Sequence, residues 1–84
     1  MGWFSSKKSY FDSSWNTASA PTFSGEDVYA IQNGYKELVG SVPNYSGIIK
    51  CRWQNTSSGS YIFVTCKDGE AFEIYPNSVE KFSL

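Results

Sequence analysis

The amino-acid sequence predicts an α+β fold, with one helix packed on an antiparallel sheet of three to four strands behind an N-terminal aromatic and serine-rich tail. Three features lead to this prediction. Residues 1–22 mix serine with aromatic residues, residues 23–44 carry apolar residues at helical spacing, and residues 45–84 form short alternating segments between turn residues. We therefore divide the chain into a tail and linker, residues 1–22, and a single small α+β domain, residues 23–84.

The composition restricts the chain to one small domain. It has 84 residues, 40% of them hydrophobic and 18% aromatic, and a net charge of −1 with no block of like charge. No apolar run approaches the roughly 20 residues that cross a bilayer, and no secretory signal is recognised, so we expect a cytoplasmic protein. A core of this size contributes only ~3–5 kcal/mol, so a protein partner or a homo-oligomer would add stability.

The residue inventory argues against catalysis. The chain has no histidine and two cysteines, Cys51 and Cys66. A Cys–His or Ser–His nucleophile pair is therefore impossible, and the usual zinc site of mixed ligands is too. We expect no enzyme activity, no cofactor, no metal site and no disulfide scaffold.

The predicted helix lies in the stretch FSGEDVYAIQNGYKELVG. Ser24 and Asp27 have the spacing of a capping box, and Gly40 and Pro43 provide a stop signal. The apolar face consists of Val28, Ile31, Tyr35, Leu38 and Val39. The alternative is a two-residue hairpin turn at Asn33–Gly34, which would pair Ile31 with Lys36 and Ala30 with Glu37. We favour the helix because these pairs match poorly on both faces.

The strands are predicted at residues 47–54, 60–66 and 70–76. A tight turn at Asp68–Gly69 pairs Thr65 with Phe72, and a loop over residues 56–60 pairs Trp53 with Phe63. One face would then receive the helix and carries Ile49, Cys51, Trp53, Tyr61, Phe63, Phe72 and Ile74. The other carries Lys50, Arg52, Gln54, Ile62, Val64, Cys66, Glu73 and Tyr75. Because the two cysteines fall on opposite faces, we predict free thiols.

The C-terminal stretch FEIYPNSVEKFSL predicts a strand, a turn at Pro76–Asn77 with one turn of 3₁₀ helix, and a last short strand. This order resembles the second half of a Src-homology-type small barrel. The resemblance covers only the C-terminal strands, and it implies that the sheet curls into a barrel. The acidic–aromatic loop and the paired tryptophans of that family's peptide groove are missing, so polyproline binding is not implied.

The aromatic residues of the tail are the predicted partner-binding site. They are Trp3, Phe4, Tyr10, Phe11 and Trp15. Aromatic side chains are the usual energetic anchors of protein interfaces. Two alternatives remain open: the tail folds back over the sheet and stabilises it, or it lies on a membrane surface beside Lys7 and Lys8.

A second candidate site combines Lys50 and Arg52 on one strand with Tyr75, because small barrels hold single-stranded nucleic acid through basic and aromatic residues. Two positive charges are few, and cross-strand ion pairing with Glu73 is the ordinary alternative.

We therefore expect a non-catalytic protein that binds another protein, such as an adaptor, inhibitor or assembly factor of a phage or of accessory bacterial type. It would dock through the aromatic segment or an exposed sheet edge. The alternatives are a single-stranded nucleic-acid-binding barrel and a peripheral membrane protein.

Overall fold

The computed structural model describes residues 9–76 and 78–82, which form seven β-strands in two antiparallel sheets. The strands of the first sheet, in spatial order, are β1 (Thr22–Ser24), β2 (Asp27–Gln32) and β3 (Tyr35–Ser41). Those of the second are β4 (Ile48–Thr56), β5 (Gly59–Cys66), β6 (Ala71–Tyr75) and β7 (Ser78–Phe82). Within the described residues, no helix has the length and apolar character needed to span a membrane.

The predicted helix over residues 23–44 is wrong, and so is the α+β class: this stretch forms the three-stranded sheet. Asn33 and Gly34 both have positive φ, 53° and 82°, as a primed two-residue turn requires, and Asn-Gly adopts this conformation readily. The hairpin pairs Ile31 with Lys36 and Ala30 with Glu37, as the alternative interpretation had it. The apolar residues that have helical spacing in the sequence lie on both strands of this hairpin, whose pairing is interrupted by a bulge between Val28 and Tyr29.

The predicted positions of the strands in residues 45–84 are confirmed, but the register of β5 is wrong by one residue. A hydrogen bond between Cys66 and Glu70 closes a three-residue loop after β5, Lys67 to Gly69, and Gly69 has a φ of +88°. The Cys66 N–H donates to the Glu70 carbonyl across the loop at 3.0 Å, so Val64 and not Thr65 pairs with Phe72. Such three-residue loops end in a left-handed residue, a position that glycine fills at little cost.

The β4–β5 connection shifts β5 in the same direction, because Thr56 pairs with Gly59 and Trp53 pairs with Ile62. A one-residue shift exchanges the two faces of a strand. The core therefore receives Ile62, Val64 and Cys66, whereas the tyrosine and phenylalanine of β5 lie on the opposite face.

Both cysteines are free thiols, as predicted, but the reason given for them is wrong. Cys51 pairs with Val64, and Cys66 lies two residues further along β5, so both cysteines are on the core face. The Cys51 thiol instead contacts the Pro21 carbonyl oxygen at 3.6 Å.

The core lies between the two sheets, where β1 packs beside β4 and β3 packs against β6 and β7. Its buried residues are Phe11, Val28, Ala30, Val39, Val42, Ile62, Val64, Cys66, Phe72 and Ile74. The close approach of β3 depends on Gly40, where an added Cβ would lie 2.9 Å from Cγ2 of Ile74 and 3.1 Å from Cγ2 of Val79.

The last strand is confirmed as β7, but its connection differs from the prediction. Tyr75 pairs with Ser78, so two residues rather than a turn of 3₁₀ helix join β6 to β7. β7 lies at the edge of the four-stranded sheet, beside β6. The described strands form two sheets rather than the small barrel that the resemblance implied.

Residues 9–21, here called the N-terminal segment, contact both sheets. The Phe11 N–H donates to the Ser60 carbonyl of β5 at 3.0 Å, and the Asn16 N–H donates to the Ile31 carbonyl of β2 at 2.9 Å. Between these bonds the Phe11 side chain enters the core, where it is 4% exposed. The segment thus joins the two sheets at one end. The division of the chain at residue 22 stays a prediction.

We expect Phe11→Ala to lower the free energy of unfolding by about 3–5 kcal/mol, because it leaves a cavity between the sheets. Phe23→Ala is the matched control, since Phe23 is 40% exposed on β1, and it should cost about 1 kcal/mol. Urea denaturation followed by tryptophan fluorescence measures both. Equal losses in the two variants would show that the N-terminal segment does not stabilise the fold.

Candidate functional site

The aromatic residues predicted to anchor a partner differ in how deeply the structure buries them. Phe11 is buried, and its ring meets those of Trp15 and Trp53 edge to face, with centroids 5.1 Å and 4.9 Å away. Tyr10 packs edge to face on Tyr75 at 5.3 Å. Trp15 is only half-buried, so part of its side chain is exposed. Trp3 and Phe4 lie outside the described residues.

Trp15 forms one wall of a pocket of about 210 Å³, here called the Trp15 pocket. The pocket lies where the tip of the β2–β3 hairpin approaches the turn after β6. Its lining residues are Trp15, Gln32, Glu37, Leu38, Val39 and Pro76. Three distant parts of the chain therefore build it: the N-terminal segment, the hairpin and the β6–β7 turn.

Hydrogen bonds hold Trp15 against the hairpin. Trp15 forms a bridge with Gln32 of β2, and the next backbone N–H, that of Asn16, donates to the Ile31 carbonyl at 2.9 Å. Within the N-terminal segment, the backbone N–H of Trp15 donates to the Asp12 carbonyl at 3.2 Å. The Gln32 side-chain nitrogen donates to Oγ of Ser14 at 2.9 Å. The Asp12 carboxylate accepts bonds from the Ser14 hydroxyl and N–H, which lower the pKa of that carboxyl group. The wall of the pocket is thus fixed by the loop before it.

The other wall is the free edge of β3. The first four residues of this strand are all exposed, and among the described strands β3 pairs with β2 alone. Two of these residues are large and apolar or aromatic: Tyr35 is 75% and Leu38 57% exposed. Tyr35 and Glu37 occupy the same face of the strand, because side chains alternate. An unpaired strand edge thus stands beside exposed apolar surface and a pocket.

The charge at the pocket is negative. Glu37 is the one charged residue among the described residues that line it. Lys36, its neighbour, pairs with Ile31 on the opposite face of the hairpin, and its Nζ lies 5.1 Å above the Tyr29 ring. The described lining therefore contains one carboxylate and neither a lysine nor an arginine.

The second candidate site lies on the outer face of the four-stranded sheet. Arg52 pairs with Phe63, whose ring lies 5.1 Å from the guanidinium carbon, and Phe63 pairs with Glu73. Tyr75 is on the same face, but it is 1% exposed and donates its hydroxyl to Oε1 of Glu73 at 2.6 Å. Lys50 and Arg52 are exposed. The face thus presents two cations, while its predicted stacking residue is covered.

The cysteines are poor candidates for a nucleophile. Burial raises the pKa of the Cys51 thiol to about 11. The pKa of Cys66 is also raised, by burial first and then by the carboxylates of Asp68 and Glu70. Neither thiol is therefore activated. Within the described residues, no three His, Cys, Asp or Glu side chains come together as metal ligands would.

Comparison with known proteins found no family model, curated protein or solved structure that matches the chain. Sequence reasoning identified Trp15 but missed Tyr35, Glu37 and Leu38 as site residues, because it assigned them to a helix. The sequence signal that indicates them is the Asn33–Gly34 dipeptide, because a primed turn there predicts a strand on each side of it.

The raised pKa of Cys51 makes stability depend on pH. The unfolded thiol ionises near pH 9 and the folded one near 11, so the contribution is fully present below pH 9 and is lost as the pH rises through 11. Because the side chain is only half-buried, we expect a loss of about 1 kcal/mol or less. Urea denaturation at pH 8 and pH 11 measures it.

Cys51→Ala is the control for every other effect of high pH on stability. Its stability should fall less between pH 8 and pH 11 than that of the wild type. Equal decreases would contradict the assignment to Cys51.

Proposed function

We propose that this chain is a non-catalytic protein that binds another protein along the free edge of β3, with the Trp15 pocket as an anchoring site. One observation carries the proposal: the exposed side chains of Tyr35 and Leu38 stand on an unpaired strand edge beside a pocket. Both residues belong to the exposed first half of β3, and exposed apolar surface is typical of interaction sites.

The strand edge suggests how the partner is held. An extended segment can add to a sheet edge through main-chain hydrogen bonds, while pockets for its side chains provide specificity. On the opposite side of the hairpin, β1 and the bridge from Trp15 already occupy the edge of β2. Among the described strands, the hairpin is therefore paired on the β2 side and unpaired on the β3 side.

Nucleic-acid binding has weaker support. Lys50 and Arg52 are exposed, but Tyr75 is buried and bonded to Glu73, and Glu80 pairs with Glu73 in the same cross-strand row. Both glutamates lie in the same cross-strand row as Arg52, beyond Phe63, and negative charge on this face disfavours phosphate contact. We expect the protein to act in the cytoplasm, without catalysis, and a second copy of the chain is one partner that the edge could accept.

The test is affinity purification from the cells that make the protein, with wild type and two variants. Leu38→Asp places a charge on the β3 edge and should reduce recovery of the specific partner at least about tenfold, because interface centres exclude unpaired charge. Ile49→Asp is the matched control: Ile49 is also an exposed aliphatic residue, 54% exposed, but it lies on β4. This control variant should recover the partner as wild type does.

Thermal unfolding of both variants establishes that each is folded before the comparison. The proposal is contradicted if no protein is lost specifically from the Leu38→Asp sample. It is also contradicted if the wild type instead binds single-stranded oligonucleotides with steep salt dependence, and Lys50→Ala with Arg52→Ala abolishes that binding.

A further inference from the structure

We propose that the Trp15 pocket accepts a basic side chain, that of an arginine or lysine, from the protein partner. This inference rests on the proposed function and adds the chemistry of the contact. It follows from the size of the pocket, its charge and its aromatic wall, which are separate observations.

The size of the pocket fits one side chain. Pockets for drug-sized ligands are typically about 300–1,000 Å³, and the Trp15 pocket is smaller, about 210 Å³. Its lining includes Glu37 and Leu38 of β3, so a segment that lies along this strand would place a side chain near the pocket. A single protein side chain therefore suits the pocket better than a free cofactor.

The polar groups of the pocket select a hydrogen-bond donor with positive charge. Glu37 presents a carboxylate, which accepts hydrogen bonds only. The side-chain nitrogen of Gln32 donates a hydrogen bond to Oγ of Ser14. The side-chain carbonyl oxygen of Gln32 is the acceptor of this amide group. A guanidinium or ammonium group supplies donors to both and neutralises the carboxylate.

The apolar wall suits the remainder of such a side chain. Lysine and arginine pack their methylene groups on apolar surface while the charged group meets polar partners. Leu38 and Pro76 provide that surface, and the Trp15 indole is the best aromatic partner for a nearby cation. Edge-to-face packing on Phe11 holds this indole in place, so the wall exists before the partner arrives.

The full chain is titrated with capped arginine, N-acetyl-arginine methylamide, and with capped lysine, and binding is followed by ¹H–¹⁵N NMR. The matched neutral probe is capped citrulline, which has the shape of arginine without its charge. We expect arginine or lysine to shift the Trp15 indole and Gln32 side-chain signals, and citrulline to bind about tenfold more weakly.

Glu37→Gln should weaken binding of the basic probe by about tenfold, because it removes the charge-assisted hydrogen bond. Glu26→Gln is the control: it makes the same change of net charge at an exposed residue of the β1–β2 turn, and the probe should bind it as it binds wild type. Equal binding of arginine and citrulline overturns the proposal, as do equal effects of the two variants or shifts confined to other residues.

The two proposals can fail separately. If Leu38→Asp loses the captured partner while Glu37→Gln recovers it fully, the partner uses the β3 edge without a basic residue in the pocket, and only this inference is overturned. If the basic probe binds as expected but no partner depends on Leu38, the pocket's chemistry stands and the proposed function is overturned.

Discussion

The burial of Phe11 between the two sheets is the interaction on which the rest of the molecule depends. Among the described residues, the three-stranded sheet contributes small side chains to the core, Val28, Ala30 and Val39. Phe11 adds a large side chain to this core, while the backbone hydrogen bonds of Phe11 and Asn16 connect the N-terminal segment to β5 and β2. Because large aromatic side chains bury much area, one residue can close a small core.

This constraint explains the arrangement of the aromatic residues in the N-terminal segment. Phe11 is fully used by the fold, Tyr10 covers Tyr75, and Trp15 packs on Phe11 while it forms a wall of the pocket. The stability of the fold and the shape of the Trp15 pocket are therefore coupled through neighbouring residues. A change in the core at Phe11 would also move the indole that the pocket requires, so effects on binding must be separated from effects on stability.

The amount that could be predicted differs between the two halves of the chain. Alternation and the Asp68–Gly69 turn located β4 to β7, but the turn residues did not reveal that the loop from Lys67 to Gly69 has three residues, and so β5 was placed on the wrong face. In residues 23–44, an apolar spacing of three and four was consistent with a helix. Pairing between strands outweighed that local pattern, as tertiary context often does.

The sequence by itself determined the strand-forming segments of the second sheet and the primed turn available at Asn33–Gly34. These properties depend on residue type and short spacing alone. The tertiary structure decided the register of β5, the burial of Phe11 and the Trp15 pocket. The pocket joins residues from both ends of the chain, and their proximity depends on how the two sheets pack, a long-range property that no local pattern encodes.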